Sequence, residues 1–170
     1  MKKLTDLNNL FQYELVILLD GEMEFQNYLS HITNRTFSSG LKEILSNYRK
    51  INIEQVVRLE EIISGNRERH YDQIINTVMR ELIFNANTLF EMSDDPEVRD
   101  VIIVISIQRI NNYKIASYGA LCSYADALSM NDISLDLNMT LNEEKQNYKY
   151  LSELRDNKLN KSARIPISDL

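Results

Sequence analysis

The chain is poor in residues that turn or staple a backbone: of 170 residues only 4 are glycine, 2 are proline and 1 is cysteine. A many-stranded fold needs frequent turns, so this scarcity argues against sheets and for a few long helices. Cys122 has no second cysteine to pair with, which excludes an intrachain disulfide and any zinc-finger spacing. A reducing compartment suits such a chain, and the lone thiol, with no cationic cluster beside it, reads as an inert packing group. Positive charge is also in deficit. A net charge of −6 and a pI near 5.0 leave no surplus of cations to neutralise phosphates, so nucleic acid is not an expected partner. The longest apolar run, residues 101–107, is far below the roughly 20 residues that cross a bilayer. Glu14, Asp20, Glu22 and Glu24 load the N-terminal segment with more acid than a signal-peptide core tolerates. The expectation is a soluble, cytoplasmic protein with no membrane partner.

What the chain does have is sustained helical periodicity over a length that suits one domain. Leu4, Phe11, Leu18, Phe25 and Ile32 recur at every seventh position, thickened by Leu15 and Leu29, and predict a first helix over residues 5–33. After a Ser/Thr-rich turn capped by Ser38 or Ser39, a second helix is predicted over 41–64, with Leu41, Ile44, Tyr48, Ile51, Gln55, Leu59 and Ile62 facing inward. A less regular segment over 70–92, carrying Ile74, Ile75, Val78, Leu82, Ile83, Leu89 and Phe90, reads as a crossover on the outside of a bundle. Ser93-Asp-Asp-Pro96 is a strong helix start. The helix it opens runs to about residue 128, and a last helix, capped at Asn131 or Asp132, spans about 131–155. Two helix pairs joined by a long crossover make an all-α, ferritin-like four-helix bundle with an additional helix in the crossover. The bundle occupies residues 1–156, and residues 157–170 form a polar tail, loose or docked.

Three polar residues interrupt the apolar seams. Glu22 sits seven residues from both Leu15 and Leu29, Asn111 shares a seam with Val104, Gln108, Ile115, Tyr118, Cys122 and Ala125, and Glu144 lies among Leu137, Leu141, Tyr148 and Leu151. A buried amide or carboxylate is costly unless it meets a partner, so these residues call for one another or for a cation. Each also has a plainer reading: Glu22 at the rim with its charge in solvent, Asn111 as a satisfied core amide, Tyr148 as a core aromatic.

The chain resembles the YciE/YciF family, small ferritin-like bacterial proteins associated with stress. The resemblance spans residues 10–154. It rests on Leu10-Phe11 with Glu14-Leu15 and Asp20-Gly-Glu22, on Gln55-Val-Val-Arg-Leu-Glu60, and on Glu97-Val-Arg-Asp100. Gln108-Arg109, Tyr113-Lys-Ile-Ala-Ser-Tyr-Gly119 and Thr140-Leu-Asn-Glu-Glu-Lys145 complete it. It implies a bundle whose four core helices can aim carboxylates at a central metal pair. Glu22, Glu143 and Glu144 keep acids that the family pattern has. Other acids are replaced, at Ile51 in the second helix, Asn111 and Lys114 in the third core helix, and Tyr148 in the last. There is no core Glu-x-x-His pair, and His31 and His70 are poorly placed.

Two divalent ions need more carboxylate than remains. These seven positions therefore read as the vestige of a dimetal site, with no catalytic or metal-ligating residue and no cofactor. Lys114 lies three residues beyond Asn111 on nearly the same face. Its ammonium either supplies the missing positive charge to a network of Glu22, Asn111, Lys114, Glu144 and Tyr148, or extends to solvent. The leading functional expectation is a non-catalytic, stress-associated bundle that acts through its surface, as a homodimer. The alternative is a protein that binds iron or manganese through Glu22, Glu143 and Glu144 with oxidase-like activity. An acid–base enzyme ranks last, because no nucleophile with an adjacent base and no phosphate-cradling loop is present.

Overall fold

The computed structural model describes residues 3–65 and 74–164. Five long helices carry the fold: α1 (Leu7–Ile32), α2 (Ser39–Gly65), α3 (Thr77–Phe90), α4 (Pro96–Ala127) and α5 (Asn131–Leu154). The described residues contain no strand, as the shortage of turn formers predicts. No described helix is long and apolar enough to cross a membrane. The predicted start of the crossover helix near residue 70, with His70, lies outside the described residues, as does the end of the tail.

Helix starts follow their capping residues. Asp6 accepts from the Asn9 N–H at 2.7 Å and opens α1, so Leu4 falls before the helix and stays exposed rather than joining the stripe. Asp95 accepts from the N–H groups of Glu97 and Val98 at 2.9 and 3.0 Å, with Pro96 as the first helical residue of α4. The turn into α5 departs from expectation. Its N-cap position is Met130, with no side-chain cap, and Asn131 is already helical; Ser129 makes the turn with φ 59°.

Residue pairings set the topology. Tyr48 meets Glu144 while Arg58 meets Thr140, so α2 and α5 are antiparallel. The α1–α2 turn is fastened to the start of α4 by Asp100, whose carboxylate accepts from the backbone N–H groups of Phe37 and Ser38 at 2.9 and 2.6 Å. The chain therefore travels the length of the bundle between α2 and α4, and two antiparallel pairs joined by this crossover form the four-helix core. α3 packs outside, against α1 and α4. It contributes Met79, Ala86 and Phe90 to the core, flanked by Leu82 and Ile83, whereas Ile75 and Val78 face outward.

Past α5 the helical path continues through a π-helical turn (Arg155–Leu159) into a short α6 (Asn160–Ser162). Leu159 enters the apolar core beside the cluster that holds Leu41, Leu45 and Ile103, so the segment beyond residue 156 is tied to the bundle.

The core falls into two apolar clusters. One gathers Phe25, Leu29, Leu45, Val104, Ile107 and Leu151; the other gathers Phe11, Leu15, Leu59, Leu121, Ala125 and Leu137. Every core helix switches to polar residues between them.

Asn76 anchors the crossover. Its Nδ2 donates to the Ile17 carbonyl at 3.0 Å and to the Tyr113 hydroxyl at 2.9 Å, its backbone N–H donates to Asp20 at 2.7 Å, and its Oδ1 caps α3 through the Met79 N–H at 2.8 Å. Gly21 leaves room for it: a Cβ there would lie 2.5 Å from Asn76 Nδ2. Gly21→Ala is predicted to displace this amide and destabilise the protein by about 1–3 kcal/mol, despite the better helix propensity of alanine. Chemical denaturation measures it, and an unchanged or raised midpoint would contradict the packing.

Candidate functional site

Between the two apolar clusters lies a layer of polar side chains drawn from all four core helices: Glu22 of α1, Tyr48, Asn52 and Gln55 of α2, Asn111, Lys114 and Tyr118 of α4, and Glu144 of α5. All eight are 0% exposed. Helical spacing delivers them. Positions 48, 52 and 55 lie on one face of α2, as do 111, 114 and 118 on α4, and each helix resumes its apolar seam on either side.

Lys114 is the centre of the layer. Its ammonium lies 2.8 Å from Glu22 Oε2 and 3.0 Å from Glu144 Oε1, and donates to Gln55 Oε1 at 3.3 Å, so its three protons have three acceptors. The Phe25 and Tyr48 rings flank it, with centroids at 4.7 and 5.2 Å. Solvent is not its destination.

The carboxylates are held by further donors. Glu22 accepts from Asn52 Nδ2 at 2.7 Å and from the Tyr118 hydroxyl at 2.9 Å. Glu144 accepts from Gln55 Nε2 at 2.8 Å, from Asn111 Nδ2 at 2.5 Å and from the Tyr48 hydroxyl. Asn111 Nδ2 also reaches the Tyr48 hydroxyl at 2.9 Å and the Glu144 carbonyl at 3.1 Å. Two acceptors of the layer are left over: Asn52 Oδ1 and Asn111 Oδ1 are buried with no hydrogen-bond partner among the described residues.

Burial alone would push the Lys114 pKa down, but the Glu144 and Glu22 carboxylates raise it above its ordinary value. Burial raises Glu22, Lys114 opposes that shift and Glu144 adds to it, and the net direction is upward. Burial and the adjacent carboxylates also lift the Tyr48 and Tyr118 phenols well above their usual range.

The predicted positions divide into three groups. Glu22, Asn111, Lys114 and Glu144 come together. Glu143 stands at the edge, where Arg58 grips both its oxygens at 3.1 and 3.3 Å and Gln55 donates to it at 3.1 Å. Ile51 and Tyr148 do not join the layer. Ile51 is only partly buried and lines a groove of about 420 Å³ between α2 and α5, with Met139, Glu143 and Tyr150. Its neighbour Asn52 takes the inward place. Tyr148 is likewise partly buried, Asn147 being the buried residue there, and among the described residues no hydrogen bond joins the Tyr148 hydroxyl to the network. Gln108, also in the α4 seam, bridges outward instead, between Ser152 at 2.8 Å and Arg155 at 2.6 Å. Among the described residues, no three His, Cys, Asp or Glu side chains cluster in a way that could hold a metal ion.

The family model described as a domain of unknown function, DUF892, matches residues 6–164. The chain belongs to the DUF892 family. This DUF892 chain is similar to protein YciF of Escherichia coli K12, at 26% identity over 157 residues that cover 92% of it and 95% of YciF. The resemblance read from the sequence is thus borne out. The crystal structure of that protein, described as the E. coli stress protein YciF, superposes with a TM-score of 0.87 at 25% identity, covering 93% of this chain and 99% of the other. YcfI from Rhodopseudomonas palustris shares the fold, with a TM-score of 0.84 at 23% identity over 89% of this DUF892 chain and 96% of its own.

Removing the ammonium leaves two buried acids facing each other with no cation between them. Lys114→Met is predicted to destabilise the fold by about 3–5 kcal/mol, the range for breaking a buried ion pair from one side. In the parent, the stabilisation tied to the raised Lys114 pKa is complete below its ordinary value of 10.5 and is lost as pH rises through the folded value, and the raised phenols act with the same sign. The unfolding midpoint of the parent should therefore fall at strongly alkaline pH. Denaturation of both proteins from neutral into strongly alkaline pH checks the pair of statements.

Proposed function

We propose that this chain is a non-catalytic DUF892 bundle in which the Lys114 ammonium supplies internally the positive charge that a metal pair would otherwise bring. It acts through its surface, in a stress-related role like that named for YciF of E. coli. The observation that carries this reading is the position of Lys114, fully buried and within 3.0 Å of carboxylates from two different helices.

The donor set does not fit two divalent ions. Two carboxylates face the centre, their oxygens already accept from Lys114, amides and phenols, and the remaining inward groups are neutral. A divalent cation brought there would meet an ammonium and too little negative charge. Full burial also leaves the layer without access for a substrate, which weighs against acid–base catalysis by Glu22 or Glu144.

Protein incubated with ferrous iron or manganese and then desalted should retain far less than two ions per chain, with no metal-dependent change in its unfolding midpoint. Lys114→Glu should lose several kcal/mol without metal, as a third carboxylate enters the core. That variant should regain stability when manganese is added. Retention of two irons per chain by the parent would overturn the reading.

A further inference from the structure

The buried layer contains two carboxylates and one ammonium, which leaves one negative charge unmatched if both acids are ionised. Among the described residues no other cation pairs with these two acids. Arg58 is engaged by Glu143 at the edge, and Arg80 pairs outside the core with Glu24 at 2.8 Å. The groups facing Glu22 from the packed helices are Tyr48 and Asn52 on α2, Lys114 and Tyr118 on α4 and Glu144 on α5, with Tyr113 farther along α4. On α3 the uncharged Met79 is buried beside Gly21. An unmatched charge in a dry core is expensive, and a protein group in that position takes up a proton instead.

We infer that the centre holds one additional proton on Glu22, which makes the bundle a pH-responsive element whose core ionises and loses stability as pH rises. Donor counts assign the proton to Glu22 rather than Glu144. Glu144 accepts from four side chains, Lys114, Gln55, Tyr48 and Asn111, whereas Glu22 accepts from three. Among the described residues Glu22 Oε1 has the Tyr118 hydroxyl as its single donor, so a lone pair is open to carry the proton, and the phenol can turn to accept from it. The upward direction of the Glu22 pKa agrees with this geometry.

The sign follows from proton count. Above its ordinary value near 4.5, Glu22 is ionised in the unfolded chain but still protonated in the fold, so raising pH favours unfolding until the folded group ionises too. Within that window the unfolding constant should rise about tenfold more per pH unit in the parent than in a variant lacking the proton.

Glu22→Gln imitates the protonated acid and Glu144→Gln does not, because its NH2 would face a set of donors. The inference rests on Lys114, not a metal, being the cation of the layer, so each measurement is repeated with a chelator. The expected result is that Glu22→Gln folds as stably as the parent near the lower end of the window and loses this extra slope, while Glu144→Gln is destabilised at every pH. The infrared spectrum of the folded parent at neutral pH should show the carbonyl stretch of an un-ionised carboxyl that is missing from Glu22→Gln, a readout independent of how stable the variant is. Equal slopes for parent and Glu22→Gln, or no such carbonyl band, would overturn the inference alone. A profile that changes with chelator would overturn it together with the metal-free reading.

Discussion

A single buried ammonium decides how this bundle can be built. Lys114 draws acids from α1 and α5 and an amide from α2 to one point, and α4 itself carries the lysine, so four helices meet through one nitrogen. Taking these charges out of water costs several kcal/mol each, and good geometry with further hydrogen bonds is what offsets it. The supporting groups follow from that need: two phenols, three amides and the Phe25 ring close around the ion pairs. Apolar packing provides the bulk of the stability on either side, but it does so in two separate bodies because the charged layer stands between them.

Much of the arrangement was legible in the sequence because burial leaves a periodic trace. Glu22, Asn111 and Glu144 stand out as polar residues inside apolar seams, and Lys114 is marked by the family resemblance together with its spacing to Asn111. On α2 the sequence points one position off. Adjacent helical positions differ by about 100° around the axis, and Ile51, the more apolar of two neighbours, reads as inward. The series 41, 45, 48, 52, 55, 59, 62 alternates by four and three without a break, and every member is buried. Regular spacing was the better guide than side-chain polarity, and it would have found Asn52. On α5 the same regularity pointed to Tyr148, yet Asn147 is buried there, since both 147 and 148 fit between Glu144 and Leu151 and spacing alone does not separate them.

Family membership and site chemistry carry different kinds of information. The match over nearly the whole chain reports the bundle and its connections. The chemistry of the layer depends on a few side chains that can change while the helices keep their places. A lysine on α4 with two glutamates on other helices is a local composition, and its consequences have to be worked out from its own charges and contacts.

The separation of the core into two apolar bodies also constrains sliding. If one helix advanced by a single turn, about 5.4 Å along its axis, greasy packing could largely re-form, because leucine and isoleucine substitute for one another along these seams. The charged layer could not. Glu144 would be carried opposite hydrocarbon and Lys114 would be parted from it, so the slipped alignment would be penalised by the cost of burying unpaired ions. The layer thus works as a notch along the bundle axis, selecting one longitudinal alignment of helices that oily contacts alone would leave nearly degenerate.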